Sequence, residues 1–215
     1  TSATGKLTLG DGCLVTRTAN AATLTRVPTF GANTDLRYST YTGGVDIVAA
    51  NEVPATVRNL TVLTDGGALK TQLAVNITVT GTLTLADMLD VTTATPDAVI
   101  TMANGSTLEL QVIGTNALDA DLTKAGSMNL VYNGAATTTT RELGTVTSGA
   151  YAAYTGNITV KVLVALTGGT LVHNGPTFTF DGGNFDLNAN AFSVGGAVAT
   201  TANGGTFVNG GAAAF

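Results

Sequence analysis

The chain has 215 residues, of which 44% are hydrophobic and only 11% are charged, and its formal net charge is −5 at pH 7. Globular proteins usually have about a quarter of their residues charged. The nine basic residues are scattered singly, which argues against a surface for nucleic acid or anionic membranes. No apolar run is long enough to span a bilayer as a helix, so we expect no membrane span.

Threonine makes up about a fifth of the chain, well above ordinary usage, and glycine contributes 27 residues. Threonine is β-branched and fits a pleated strand, whereas glycine supplies turns between strands. Leucine, valine, isoleucine and phenylalanine are spread through the whole sequence, which is not typical of disorder. The composition therefore predicts an all-β protein with a real core.

Strand-like runs follow one another along the chain, and turn sequences such as Asn104-Gly105 and Asp181-Gly182-Gly183 separate them. Two short segments, 83–89 and 117–125, are weak helix candidates. The predicted strands are 7–9, 14–18, 23–27, 36–38, 45–48, 56–63, 73–79, 82–85, 98–102, 107–113, 128–132, 158–166, 170–173, 177–180, 185–187, 192–194 and 206–208.

A short phrase of glycine followed by alternating apolar residues occurs three times, at 5–9, 81–85 and 183–187. A longer duplication overlies it, because the runs 36–38, 59–62, 65–69 and 78–81 are matched in the same order by the runs 130–132, 157–160, 167–171 and 177–180. Repetition of this kind is typical of stacked β architectures. We therefore predict a β-solenoid or β-helix-like fold, or an elongated β-sandwich, built from about two diverged repeats.

The repeats suggest four segments. Residues 1–35 form an N-terminal β segment with an orphan repeat end, and residues 36–127 form a first β repeat unit. Residues 128–203 form a second unit, and residues 204–215 form a Gly/Ala-rich C-terminal tail.

One stretch carries a family resemblance. It comprises Tyr41-Thr-Gly-Gly, the run from Val53 to Val62, and the run from Val75 to Leu85. This stretch resembles repeats in large secreted surface proteins and adhesins of Bacteroidetes and related bacteria. The resemblance implies a β-solenoid located on or outside the cell, and the low lysine content and single cysteine agree with a secreted or cell-surface location.

No catalytic motif is present, so we expect no enzyme activity and no cofactor. His173, the one histidine, is interpreted as structural, and Cys13 as an inert thiol. The aspartates do not follow a calcium-loop pattern, so no metal site is predicted. The aspartates tested in this way are Asp87, Asp90, Asp97, Asp119, Asp121, Asp181 and Asp186.

Four Asn-x-Ser/Thr sequons mark candidate N-glycosylation sites. The asparagines are Asn59, Asn76, Asn104 and Asn157. Because Asn59 and Asn157 occupy equivalent repeat positions, a shared structural role at the start of a strand explains them equally well.

The leading functional hypothesis is a structural subunit that assembles head to tail with itself into a fibre or surface layer. The candidate intersubunit residues are Phe207, Val208, Phe215, Leu7 and Leu9. The alternative is an adhesin segment that binds a surface glycan, for which Tyr151 and Tyr154 are candidate exposed aromatics. A β-helix polysaccharide lyase or hydrolase is least favoured, because the few charged residues are dispersed.

Overall fold

A computed structural model describes residues 7–42, 46–49, 51–63, 70–92, 97–111, 118, 122–135, 137–139, 141–144, 146–209 and 213–214. The described residues form 25 short β-strands and no helix. The strands pair in parallel and stack as a β-solenoid of about eight turns. The predicted solenoid is thus confirmed, and the sandwich alternative is not adopted.

The first side of the solenoid is one sheet of nine strands, which we call rungs. Register partners in successive rungs are separated by one turn of chain, from the 20 residues between Ile158 and Phe178 to the 28 between Leu130 and Ile158. In stacking order the rungs are β2 (Leu14–Ala19), β4 (Asp35–Thr42), β7 (Leu60–Val62), β10 (Thr82–Leu85), β13 (Thr107–Leu110), β15 (Asn129–Tyr132), β17 (Ile158–Val160), β20 (Thr177–Phe180) and β23 (Ala197–Thr200).

Strands of two or three residues form two further sides of the solenoid. The second side holds β5 (Ile47–Val48), β8 (Thr71–Gln72), β11 (Leu89–Asp90), β16 (Thr137–Thr138), β18 (Val164–Ala165), β21 (Phe185–Asp186) and β24 (Phe207–Val208). The third side holds β1 (Thr8–Leu9), β3 (Thr29–Phe30), β6 (Thr56–Val57), β9 (Ile77–Val79), β12 (Ile100–Met102), β14 (Thr123–Lys124), β19 (Leu171–His173), β22 (Phe192–Val194) and β25 (Ala213–Ala214).

The core lies inside the stack, because alternate residues of each first-side rung point inward. Two inward columns result, each with one residue per rung. The Leu36 column contains Val15, Leu36, Leu60, Leu83, Leu108, Leu130, Ile158, Phe178 and Val198. The Tyr38 column contains Arg17, Tyr38, Val62, Leu85, Leu110, Tyr132, Val160, Phe180 and Thr200.

Aromatic rings fill the interior of the last turns. The Phe178 ring centroid lies 5.4 Å from those of Phe185 and Phe192 and 5.1 Å from that of Phe207. Phe178 is fully buried, whereas Phe207, on the last second-side strand, is half-buried. Such contacts add specific ring packing to the burial of apolar area.

A ladder of glycines lets the chain pass closely from the third side to the first. A Cβ atom added to Gly156 would lie 1.7 Å from the carbonyl oxygen of Met128. Added to Gly175 it would lie 1.9 Å from the Gly156 oxygen, and added to Gly196, 2.0 Å from the Gly175 oxygen. Only glycine permits this approach of one backbone to the next.

The structure corrects several sequence predictions. The runs 56–63 and 158–166 are each broken by a corner into strands on two sides, and in the run 73–79 only Ile77–Val79 is a strand. The segment 23–27 is not a strand, and the helix predicted at 83–89 is wrong, since β10 and β11 occupy its two ends. The helix predicted at 117–125 is also not formed in its described part, because Thr123–Lys124 is a strand; residues 117 and 119–121 lie outside the described residues.

The repeated phrase does not mark the period of the fold. Its copy at 81–85 lies on the first side, the copy at 183–187 on the second side, and Leu7 to Leu9 on the third side. The first two matches of the longer duplication align, because Leu36 and Leu130 share one column, as do Leu60 and Ile158. The last match does not align, because Thr78 lies on the third side and Thr177–Phe180 on the first; the match at 65–69 lies outside the described residues. The division into four segments stays a prediction.

Candidate functional site

The predicted contact residues lie at opposite ends of the stack. Leu7 precedes the first third-side strand and is 53% exposed, and Leu9 is half-buried. Phe207 and Val208, both half-buried, form the last second-side strand. Phe215 lies outside the described residues. The structure thus places Leu7 and Leu9 together and Phe207 and Val208 together, one pair at each end.

A buried ion pair closes the core at the N-terminal end. Arg17 occupies the inward position of the first rung and is 3% exposed, and its Nη1 lies 2.6 Å from Oε1 of Glu52. The guanidinium also donates to the carbonyl oxygens of Val48 and Asn20 at 2.5 Å each. Tyr38 donates its hydroxyl hydrogen to the same Glu52 oxygen at 3.2 Å. A charge so deeply buried is tolerated because it is paired and hydrogen-bonded.

A second tyrosine–glutamate pair lies in the same column. Tyr132 donates to Oε1 of Glu142 at 2.9 Å, and both residues are fully buried. Burial, reinforced by the Glu142 charge, raises the pKa of Tyr132 well above its usual value of 10.0. Sequence reasoning missed both glutamates. Of the residues in these pairs, only Arg17 is marked in the sequence, because it breaks the apolar alternation that begins at Val15.

His173 is a core residue, in agreement with its structural interpretation. It is fully buried, stacks on the ring of Tyr154 and meets Phe178 edge-on. Its Nε2 lies 2.9 Å from the carbonyl oxygen of Gly156, which only accepts, so Nε2 carries the proton. Its Nδ1 is buried without a hydrogen-bond partner among the described residues. Among these described residues, no nucleophile and no orienting acid lies within hydrogen-bonding distance of the His173 ring.

We expect His173 to make the fold acid-sensitive below pH 6.5. Burial lowers its pKa from 6.5, so the unfolded chain binds more protons, and stability falls as pH drops through this region. A His173→Phe variant should lose this slope between pH 7 and pH 5, as measured by urea unfolding at each pH.

Loss of stability below pH 3.8 should remain in both proteins. Hydrogen bonding from Arg58 lowers the pKa of Asp35, and hydrogen bonding from Thr201 lowers that of Asp181. Each carboxylate therefore stabilises the fold above pH 3.8 and stops doing so as it is protonated. Parallel curves for wild type and variant between pH 7 and pH 5 would contradict the role assigned to His173.

The four sequon asparagines all tie one turn to the next. Their Oδ1 atoms accept backbone N–H bonds from the following turn at 2.8–3.2 Å: Asn59 from Thr82, Asn76 from Val99, Asn104 from Ser127 and Asn157 from Thr177.

Two of these asparagines also use the nitrogen that a glycan would modify. Nδ2 of Asn59 donates to Asp35, and Nδ2 of Asn157 donates to Asn129, each at 3.0 Å. The structural role is therefore present at these positions. Glycosylation of any of the four stays a prediction.

Three further candidate reactive or metal-binding residues contact nearby side chains. Cys13 is half-buried, with Sγ 3.6 Å from Oγ1 of Thr34. Asp90 is ion-paired with Lys70, and Asp181 lies 3.9 Å from Nζ of Lys161. Among the described residues no three His, Cys, Asp or Glu side chains converge to hold a metal ion. Asp119 and Asp121 lie outside those residues.

The aromatic surface expected for glycan binding is not formed by the predicted tyrosines. Tyr151 is 5% exposed and Tyr154 is 3% exposed. Tyr151 donates to the carbonyl oxygen of Thr167, and Tyr154 donates to that of Met128 at 2.7 Å. Both tyrosines therefore anchor the long turn that contains them to neighbouring turns.

A shallow polar groove lies on the outside of the first four rungs. Its volume is about 410 Å³. Asp35 beside it is bound in bidentate fashion by Arg58, at 2.9 Å from Nε and 2.5 Å from Nη2. The groove is lined by Leu14, Asp35, Leu36, Arg37, Asn59, Thr61, Leu63, Thr82 and Thr84.

In the comparisons with known proteins, no family model, curated protein or solved structure matches the chain. The resemblance to adhesin repeats stays a prediction. The described residues include no helix with the length and apolar character needed to cross a membrane. The fold and these sites define a β-solenoid with polar outer faces and ion pairs in and around its core.

Proposed function

We propose that the chain is a structural subunit of an extracellular or cell-surface fibre, assembling head to tail through its strand edges and without catalytic activity. The observation that carries this proposal is the last rung, β23. All four of its side chains are exposed, and among the described residues it pairs only with β20. An open parallel edge of this kind accepts another strand by backbone hydrogen bonding.

The interior at this end is incompletely covered. Val198 continues the Leu36 column, yet it is 41% exposed. Phe207 is half-buried above Phe178. Burying an apolar side chain of this size contributes about 1.5–3 kcal/mol. A further rung in register would cover both residues.

Exposed apolar residues also lie at the opposite end. Leu7 and Val27 are 53% and 52% exposed at or beside the first turn. Contact between these residues of one copy and the last rung of another is heterologous, and it generates an open filament when its rotation does not close. The scarcity of charge over the whole chain lowers the cost of desolvating such a contact.

The assembly proposal is tested with a pair of matched valine variants. Val198 lies on the last rung and Val99 lies beside a strand in the middle of the stack, and each is 41% exposed. We expect wild type and Val99→Asp to form concentration-dependent filaments, whereas Val198→Asp stays monomeric, because only the latter charge must be buried in the contact. Sedimentation velocity and negative-stain electron microscopy provide the measurement.

Two outcomes would overturn the assembly proposal. One is a wild-type chain that stays monomeric at millimolar concentration. The other is an equal effect of the two aspartates on assembly, since that would place the contact away from the last rung.

An adhesin segment that binds a surface glycan is the second candidate. The groove beside Arg37 favours it, because hydroxyl, amide and guanidinium groups line a concave outer surface there. This candidate predicts saccharide binding by the monomer, whereas the fibre proposal predicts self-association. The two candidates are therefore separable by experiment.

A further inference from the structure

We propose that the groove on the first four rungs binds a linear saccharide that carries carboxylates, with Arg37 as its anion-binding residue. This inference rests on the second candidate function, binding of a surface glycan, and gives that ligand a chemical class. It depends on the charges and hydrogen bonds around the groove.

Arg37 is an exposed cation. Among the described residues it has neither a hydrogen bond nor an ion pair. Its carboxylate neighbour on the same strand, Asp35, is occupied by the bidentate contact with Arg58. Within the part of the chain that the structure describes, these three groups therefore leave one uncompensated positive charge at the groove of a chain whose net charge is −5.

The neighbours of Arg37 in register do not neutralise it. Thr16 lies beside it on the preceding rung and Thr61 on the following one. The next acidic residue in this outward column is Glu109, three rungs away, or about 14 Å at the usual strand spacing. That distance exceeds the Debye length of about 8 Å at physiological ionic strength. Glu109 also accepts hydrogen bonds from Gln111 and Asn133.

The rest of the lining fits a ligand rich in hydroxyl groups. Thr61, Thr82 and Thr84 supply hydroxyls on rungs that the backbone ladder holds in register. Guanidinium binds carboxylate through paired, charge-assisted hydrogen bonds. A saccharide bearing carboxylates combines both chemistries.

The shape of the groove favours a linear oligomer. The lining residues come from four consecutive rungs, which span about 14 Å along the axis of the stack. A ligand extended along the axis meets Leu14 on the first rung and polar groups on the next three, β4, β7 and β10, so its binding energy is distributed over several contacts. A single small anion would use Arg37 alone.

The test measures binding of oligogalacturonate by isothermal titration calorimetry, with its methyl ester as the uncharged control. All proteins carry Val198→Asp, so that binding is measured on monomers and a failure of the fibre proposal leaves this test intact. We expect at least tenfold tighter binding of the acid than of the ester. Arg37→Gln should weaken binding of the acid by about tenfold or more, which is the effect typical of losing a hydrogen bond to a charged group.

Arg26→Gln is the matched control, because Arg26 is also exposed but does not line the groove. It should bind like the parent protein, and far-UV circular dichroism of both variants checks the fold. Thr84→Val removes one hydroxyl group from the groove. It should weaken binding of the acid and of the ester by similar factors.

Several results would overturn the proposal. These are equal affinities for the acid and the ester, equal effects of the two arginine variants, or no binding of either saccharide. Polyglutamate bound as tightly as oligogalacturonate would overturn the assignment to a saccharide, because it would show that carboxylates alone suffice.

Discussion

Replacing Glu52 by glutamine should lower the free energy of unfolding by about 3–5 kcal/mol, the range typical for breaking a buried ion pair. The variant keeps the shape of the side chain but leaves Arg17 as an uncompensated charge, 3% exposed, in the interior position of the first rung. Because whole domains are stable by only about 5–15 kcal/mol, this effect should be visible in both urea and thermal unfolding.

The matched control is Arg58→Gln, which breaks the ion pair with Asp35. The Arg58 side chain is 42% exposed, and ion pairs at exposed side chains contribute little to stability, so we expect a much smaller loss. A double variant, Arg17→Met with Glu52→Leu, should recover much of the lost stability, because it removes both buried charges together. Equal midpoints for Glu52→Gln and Arg58→Gln would contradict the stabilising role of the buried pair.

Replacing Gly175 by alanine should destabilise the last turns by about 3 kcal/mol or more, at the upper end of the usual cost of overpacking. The added Cβ would lie 1.9 Å from the Gly156 carbonyl oxygen and 2.7 Å from Nε2 of His173. Backbone atoms of an adjacent turn cannot move aside as a flexible side chain does. Thermal unfolding followed by circular dichroism measures the loss.

Gly10→Ala is the control, because it replaces a glycine by alanine at a position without a close neighbour. A Cβ at Gly10 would have no neighbour within 4 Å, so a change of less than about 1 kcal/mol is expected. Hydrogen exchange should locate the effect of Gly175→Ala in the turns around β17 to β23. A melting temperature unchanged from wild type would contradict the close approach at this corner.

Sequence patterns predicted the strands of the first side well. The runs 82–85 and 177–180 match β10 and β20, because alternation of threonine with apolar residues is a local property of a half-buried strand. Corners were harder to predict. The run 56–63 was predicted as one strand, but two consecutive polar residues, Arg58 and Asn59, break its apolar alternation, and the chain changes side there.

The candidate sites also divide into those that the sequence could indicate and those that depend on the stacking of turns. His173 in the core and the turn-linking role of Asn59 and Asn157 follow from residue type and repeat position. The Arg17–Glu52 pair joins residues separated by 35 positions, and no local signal connects them. The groove likewise exists only because Arg37 and Thr84 come from turns brought together by stacking.

Composition and period-two alternation act over a few residues, so they were enough to predict an all-β, repetitive chain that is poor in charge. The length of one turn, the residues that share a column and the charges that are buried became clear from the fold. Stacking register is set by contacts between turns 20 to 28 residues apart, which no local pattern contains. Glycine ladders and in-register side chains select that register through packing that no single segment contains.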